Sequence, residues 1–454
     1  MVSFAQLGRT RSISAVQFAI TLTLAWLASS VGAQSPSVNS PPSLKLALEA
    51  AWQLSSASRA ENNRRSELVA KEKAASGWIS GEPVASIAHR TDRLTRNEGF
   101  REYEAEIELP LWNPGVRAAT QADVSAQRQG FDGQFALNKL KLAGELRALA
   151  ASAAAAQVEL DLNKRKLQEV NALAQDLGRR VKAGENARVD GLQAQVLVQQ
   201  AQAAIAQAES QRTRLQNQWR SLTGLAMVSR LDETPSALVA PATSVTLGAF
   251  ATPPTPATRV TSASPTAPET LAENVSPDHP ALRYAQAQLG SARAKLALAE
   301  ADKRDPMSLG VGVGVGSERS AFAAANETKL RIALRIPLGG DNRNAPRLAA
   351  ARAELDAAQA EADAVQRQLP AEVAAANADL RAARLAQAAA EERVRLSTEV
   401  QALITKSWRL GDSDLPARLR ADNEQFEASL SLARAAIDVQ RAIANLNQAH
   451  GILP

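Results

Sequence analysis

The chain has 454 residues, of which 45% are hydrophobic and only 4% aromatic, with a formal net charge of +5 and no cysteine. That balance favours long helices and coiled coils over a compact enzyme core. The missing thiols exclude disulfides, thiol catalysis, iron–sulfur clusters, cysteine-ligated zinc and a cysteine-anchored lipid. The three histidines, His89, His279 and His450, stand far apart without helical i, i+4 ligand partners, so neither a metal site nor another cofactor is expected.

At the start of the chain, Arg9 and Arg11 precede an apolar run from Ile13 to Leu27, and Val31-Gly32-Ala33 offers small residues before Gln34. This is the pattern of a secretory signal peptide over residues 1–33, with a run too short and an exit too small-residued for an anchor. Its removal leaves 50 basic against 47 acidic residues. The bases are interspersed with acids, and the densest cluster, Lys164-Arg165-Lys166, suits a solvated helix face, so no nucleic-acid partner is expected. Beyond the signal no stretch approaches 18 consecutive apolar residues, so no transmembrane helix is expected; a β-barrel remains a way across a bilayer.

Residues 34–227 read as a first repeat: a helix, two strands within about 79–111, then a helical hairpin over about 117–224. In the second strand Tyr103, Ala105, Ile107, Leu109 and Leu111 alternate with Glu104, Glu106 and Glu108, which is period-two strand patterning. From Leu146 the apolar positions step by three and four through Leu149, Ala153, Ala156, Leu160, Asn163, Leu167, Val170, Ala174 and Leu177 to Val181, a heptad seam with one polar member. A helix from Arg117 to Ala183 spans about 100 Å at about 1.5 Å per residue. Gly184 ends it, and the tip runs to Asp190, with Asn186 expected to cap the next helix.

Residues 228–275 read as a linker, because Pro235 to Pro268 is rich in proline, threonine, serine and alanine without periodicity. Residues 276–454 then repeat the first order: a helix, two strands within about 307–338 and a hairpin over about 343–451. Pro110 and Pro337, Gly184 and Gly411, and Gly224 and Gly451 recur at one constant spacing, and the seam recurs with them from Val373 to Trp408. The first strand of this half sets Leu309, Val311, Val313 and Val315 against Gly310, Gly312, Gly314 and Gly316. A strand follows it, so these glycines are not a nucleotide loop. The second strand sets Leu330, Ile332, Leu334 and Ile336 against Lys329, Arg331 and Arg335. Pro370 is expected to bend or break the long helix, and Asp414 to cap the helix after the tip at Gly411 to Pro416.

One apolar and one polar face per strand is the pattern of a membrane barrel with a wet interior, although a half-buried sheet in a soluble sandwich shows it too. Four strands are too few to close a barrel alone, and they make sense if several chains each supply a share. The doubled order of elements, the strand ends "LPLWNPG" and "IPLGGDN", the tips "KAGENARVD" and "RLGDSDLPARL", and the helix ends "LTGL" and "AHGIL" together resemble the TolC-like outer-membrane efflux family.

The resemblance covers essentially the whole mature chain and implies a mainly α fold with a β-barrel portion. It also implies a homotrimer, with a twelve-stranded barrel in the outer-membrane lipid continued by a periplasmic coiled-coil tunnel. It implies passive conduction with no enzymatic step, for a periplasmic adaptor (membrane fusion protein) and an inner-membrane pump of the RND type. Gly184, Asp190, Gly411 and Asp414 then become adaptor-contacting tips. Glu104, Glu106, Glu108, Lys329, Arg331 and Arg335 become charges facing the barrel lumen, either biasing ion passage or only keeping it wet. Ala417 stands where the second half of the family carries the counterpart of Asp190, and Arg420 where a further acid is often found, so an acidic entrance ring is not assured; Asp412 and Asp414 are substitutes or helix caps. "PLWNPG" and "GDSDLPARLRA" look most like the CzcC-like heavy-metal branch. A periplasmic coiled-coil adaptor or scaffold would share the long helices but not the paired strands, and no nucleophile–base or metal-ligand spacing points to an exported enzyme.

Overall fold

The computed structural model describes residues 41–94, 100–235, 275–320, 323–338 and 341–454. The expected signal peptide and most of the expected linker lie outside these residues. The elements run α1 (Leu44–Leu54), α2 (Ser56–Ser76), β1 (Val84–Thr91), β2 (Arg101–Leu111), α3 (Val116–Ala183), α4 (Arg188–Thr223), α5 (Pro280–Ala301), β3 (Met307–Ser320), β4 (Ala323–Arg335), α6 (Asp341–Leu410) and α7 (Leu415–Ala449). The first helix of the first repeat is two helices: Ser55 closes α1, and its side chain caps α2 by accepting from the Ser58 N–H.

The helical part rests on two hairpins, α3 with α4 and α6 with α7, with α5 packed against both α3 and α6. Every heptad-seam residue from Leu146 to Val181 and from Val373 to Trp408 is buried or half-buried, so period and phase are set by packing. Midway along α3, Leu44, Leu48, Ala143, Leu146, Ala150 and the fully buried Trp219 form one cluster. Near the tips, Leu173, Leu177, Ala194, Trp408 and Leu415 form another.

Two expectations are corrected here. Of the two outcomes expected at Pro370, a bend or a break, the break does not occur: α6 continues through both Pro346 and Pro370 for 70 residues. An interior proline forfeits one ladder hydrogen bond, but Leu369 and Val373 on either side are buried and hold the segment in register. Residues 228–235, expected within the linker, are packed instead. Val228 and Leu231 dock on the Trp219 cluster, and Glu233 forms a bidentate pair with Arg147 at 2.8 and 3.0 Å. Arg147, only 2% exposed, also donates to Gln448 Oε1 at 2.6 Å and to the Ile452 carbonyl at 3.0 Å. Asn447 donates to Glu233 and to the Thr234 carbonyl. This strap ties α3 to the end of α7, with a buried charge matched by a charge and by further hydrogen bonds.

The four strands form one antiparallel sheet in the order β1-β2-β3-β4. The two repeats meet at its centre, where β2 pairs with β3 from Arg101↔Ser317 to Leu111↔Met307. The Asn113 side chain, buried at the junction, donates to the Arg304 and Asp305 carbonyls and fixes the start of α3 against the approach to β3.

Candidate functional site: a two-faced sheet and two hairpin tips

The register places alternate residues of all four strands on common faces. One face carries Ile87, Tyr103, Ile107, Val311, Val313, Val315, Leu330, Ile332 and Leu334, every one between 41 and 87% exposed. At about 25 cal/mol per Å² of apolar surface, a contiguous sheet face of such side chains is not left in water; it marks a surface meant for lipid or another protein. The other face carries Glu104, Glu106 and Glu108 on β2, the glycines of β3, and Lys329, Arg331 and Arg335 on β4. All six charges expected on one side of the sheet therefore share a face.

These charges interact. Arg331 reaches Glu104 at 2.7 Å and Arg335 reaches Glu108 at 3.1 Å, both across the intervening β3, while Ser308 donates to Glu108. The glycine stripe is what allows the crossing: a Cβ on Gly310 would collide with the Glu106 carboxylate, and one on Gly312 would lie 3.0 Å from the Ala105 carbonyl oxygen and 3.1 Å from the Glu106 Cβ. Instead of leaving that face open, the small residues make a slot that the glutamate side chains fill.

At the other end of the helices, Gly184 and Gly411 close α3 and α6 with φ of +79° and +87°, a conformation that glycine adopts without strain. A Cβ on either would meet no atom within 4 Å, so both tips are open to a partner. Asp414 caps α7 by accepting from the Ala417 N–H at 2.9 Å. Asn186 does not cap α4. Ala187 holds the cap position without a side-chain bond, and Asn186 donates to Asp190 in the first turn, where the acid also favours the helix N-terminus.

Sequence reasoning missed the groove behind the tips. It is a cavity of about 940 Å³ between the two hairpins, lined by residues of α3, α4, α6 and α7. Trp408, buried at its side, lies between the guanidinium groups of Arg180 and Arg418 at 4.4 and 4.1 Å from the ring. Burial holds the Arg418 and Lys166 cations below their ordinary pKa ranges, and Lys166 sits over the Phe426 ring at 4.1 Å. Burial, then the negative Asp422, pushes the Glu169 carboxyl up. The one available signal was Trp408 itself, a bulky aromatic closing an alanine-rich seam.

Residues 271–452 match the family model described as outer membrane efflux protein. The match takes in the second repeat of the chain. It is 28% identical over 352 residues to Protein CyaE of Bordetella pertussis, which covers 75% of this chain and 69% of that protein. Its fold is that of a membrane protein of Pseudomonas aeruginosa (TM-score 0.67, 18% identity, 90% of each chain covered). The outer membrane protein VceC of Vibrio cholerae is similar to the same degree (TM-score 0.66, 15% identity, 90% of this chain and 96% of that one). The likeness spans the sheet as well as the helices, which a coiled-coil adaptor would not explain. The match to an outer membrane efflux model and the likeness to outer membrane channels fit the expected placement in the outer membrane with extension into the periplasm. Among the described residues no helix is long and apolar enough to cross a membrane.

Proposed function

We propose that three copies of this chain form the exit duct of a tripartite efflux system, passively carrying cargo from an inner-membrane pump of the RND type and a periplasmic adaptor to the outside. The observation that carries the reading is the two-faced sheet. It has an exposed apolar face, a charged face, and outer strands β1 and β4 that have no further neighbour within the described sheet. Backbone polar groups in lipid must be paired, so such a sheet is completed by closure with other copies, giving twelve strands from three. Exposed apolar stripes near the tips support the same assembly: Leu396, Val400, Leu403 and Leu410 on α6, and Val189, Leu192 and Val196 on α4. They suit packing between neighbouring copies.

In this reading Gly184, Asp190, Gly411 and Asp414 meet the adaptor, and the charged face lines the barrel lumen. Opening is a splaying of the two hairpins on either side of the Trp408 groove. The cargo we infer is heavy-metal cations, on the likeness of "PLWNPG" and "GDSDLPARLRA" to the CzcC-like branch; the pump selects the cargo and the duct transmits it. Deleting the gene and measuring cellular metal content under zinc, cobalt or cadmium load tests both levels. Rising metal content, restored by the intact gene, supports the cargo. Unchanged metal content with raised retention of other exported compounds leaves a duct for different cargo. Fractionation of the protein away from the outer membrane, without a heat-dissociable trimer, refutes the duct.

A further inference from the structure

The cross-strand pairs on the charged face join equivalent positions of the two repeats. Glu104 pairs with Arg331 and Glu108 with Arg335, each 227 residues apart. The register explains the geometry. Glu104 lies level with Gly314 and Lys329, Glu106 with Gly312 and Arg331, and Glu108 with Gly310 and Ala333. Each of the two pairs therefore slants by one row toward the helical end of the sheet, across a β3 that carries only glycines and Ser308 at the crossings. Strands stand about 4.8 Å apart, so the pairs cover about 10 Å, within reach of a glutamate and an arginine meeting over glycine.

Glu106 slants the same way, and its carboxylate lies over Gly310, in the row of Ala333. The repeat equivalent of Glu106 is Ala333, where the pattern of its neighbours calls for a base. The ladder is thus two complete rungs with a vacant middle one. On β1, β2 and β4 two further pairs form locally on this face, Arg90 with Glu102 at 3.8 Å and Lys329 with Glu327 at 3.2 Å. Among Glu102, Glu104, Glu106 and Glu108 on β2 and Glu327 on β4, Glu106 is the carboxylate with no ion pair within 4.0 Å.

Resting on the trimeric duct reading, we propose that Glu106 sets the ion preference of the barrel. The paired charges cancel within each copy. Arg331 also feels the Glu106 charge, but it is hydrogen-bonded to Glu104, so these three side chains leave one net negative charge per copy, and three copies place a ring of net negative charge at this level, which favours cations over anions in the lumen. The role of the glycine stripe is to let the rest of the wall neutralise itself, so that selectivity is weak and confined to this level.

The test is the K⁺/Cl⁻ permeability ratio of purified wild-type protein in planar bilayers under a KCl gradient. The wild type should exceed one. Glu106→Gln, which removes the charge, and Ala333→Arg, which supplies the missing rung, should each lower the ratio about twofold or more at low salt, toward one. Arg335→Gln, which frees Glu108, should raise it. Heat-dissociable trimers on gels show that each variant has assembled, and the two lowering variants act through different residues, so one misassembled protein does not decide the matter. Conducting pores whose ratio is unmoved by Glu106→Gln and Ala333→Arg overturn the assignment of Glu106 while leaving the duct intact. Trimers of the wild type that conduct nothing overturn the duct reading and this inference with it.

Discussion

Replacing Arg147 with methionine removes the charge at the centre of the strap that joins α3, residues 228–235 and the end of α7. The guanidinium makes four hydrogen bonds of 2.6–3.0 Å, two of them to Glu233. Methionine fills comparable space but donates nothing. It leaves the Glu233 carboxylate, 12% exposed at its side chain, with Asn447 as its remaining side-chain donor, and leaves the Ile452 carbonyl without its arginine. Breaking a buried pair from one side costs about 3–5 kcal/mol, because the surviving charge stays desolvated. Neutralising both sides in Arg147→Met/Glu233→Gln removes that orphaned charge, so the double variant should recover about 1–3 kcal/mol relative to the sum of the single changes. Denaturant unfolding of the detergent-purified protein, followed by helical circular dichroism, measures all four corners of this cycle. Single variants within about 1 kcal/mol of wild type, or strictly additive costs, would refute the strap as a stabilising buried pair.

Three other expectations follow from the same structure. Arginine in place of Ile332, on the apolar sheet face, should cost up to about 4 kcal/mol, the value for the bilayer midplane, and trimer yield in membranes should fall; unchanged assembly would remove the lipid assignment of that face. Valine at both Gly184 and Gly411 forces β-branched residues into left-handed backbone at about 1–3 kcal/mol each, and should abolish export while trimers persist, as complemented deletion strains would show. His279, 3% exposed, caps α5 by accepting the Ala281 N–H on Nδ1, and its pKa is held down chiefly by burial. A histidine with a depressed folded pKa contributes stability above its ordinary value of about 6.5 that is lost as pH falls through the folded value. Melting curves should therefore weaken with acid over that range in wild type and less so in His279→Asn, which keeps a capping oxygen.

The long elements were legible because their signals are repeated many times. A seam of eleven positions per half, and alternation over eight or more residues, leave no competing period, and positive-φ glycines at 184, 224, 411 and 451 mark where helices stop. What escaped the sequence was set by single tertiary contacts. Asn186 has the right chemistry for a cap, but Asp190 one turn on takes its amide. Pro370 breaks an isolated helix, but not one buried on both flanks. Residues 228–235 look like the start of a proline-rich linker, yet Val228 and Leu231 on the Trp219 cluster and Glu233 facing Arg147 pin them. At the candidate site, the alternation revealed both sheet faces, while the slant of the ion pairs depends on the β2–β3–β4 register, which no local pattern encodes.

The central claim is that β1 of one copy pairs with β4 of the next. The native chain has no cysteine, so paired substitutions can link only to each other. Ile87→Cys in β1, combined in turn with cysteine at positions 328–334 of β4, should give oxidation-dependent covalent trimers in outer membranes for the one or two positions that face each other across the closed seam. Trimers linked at no position, or links only within single chains, would contradict closure of the barrel by three copies.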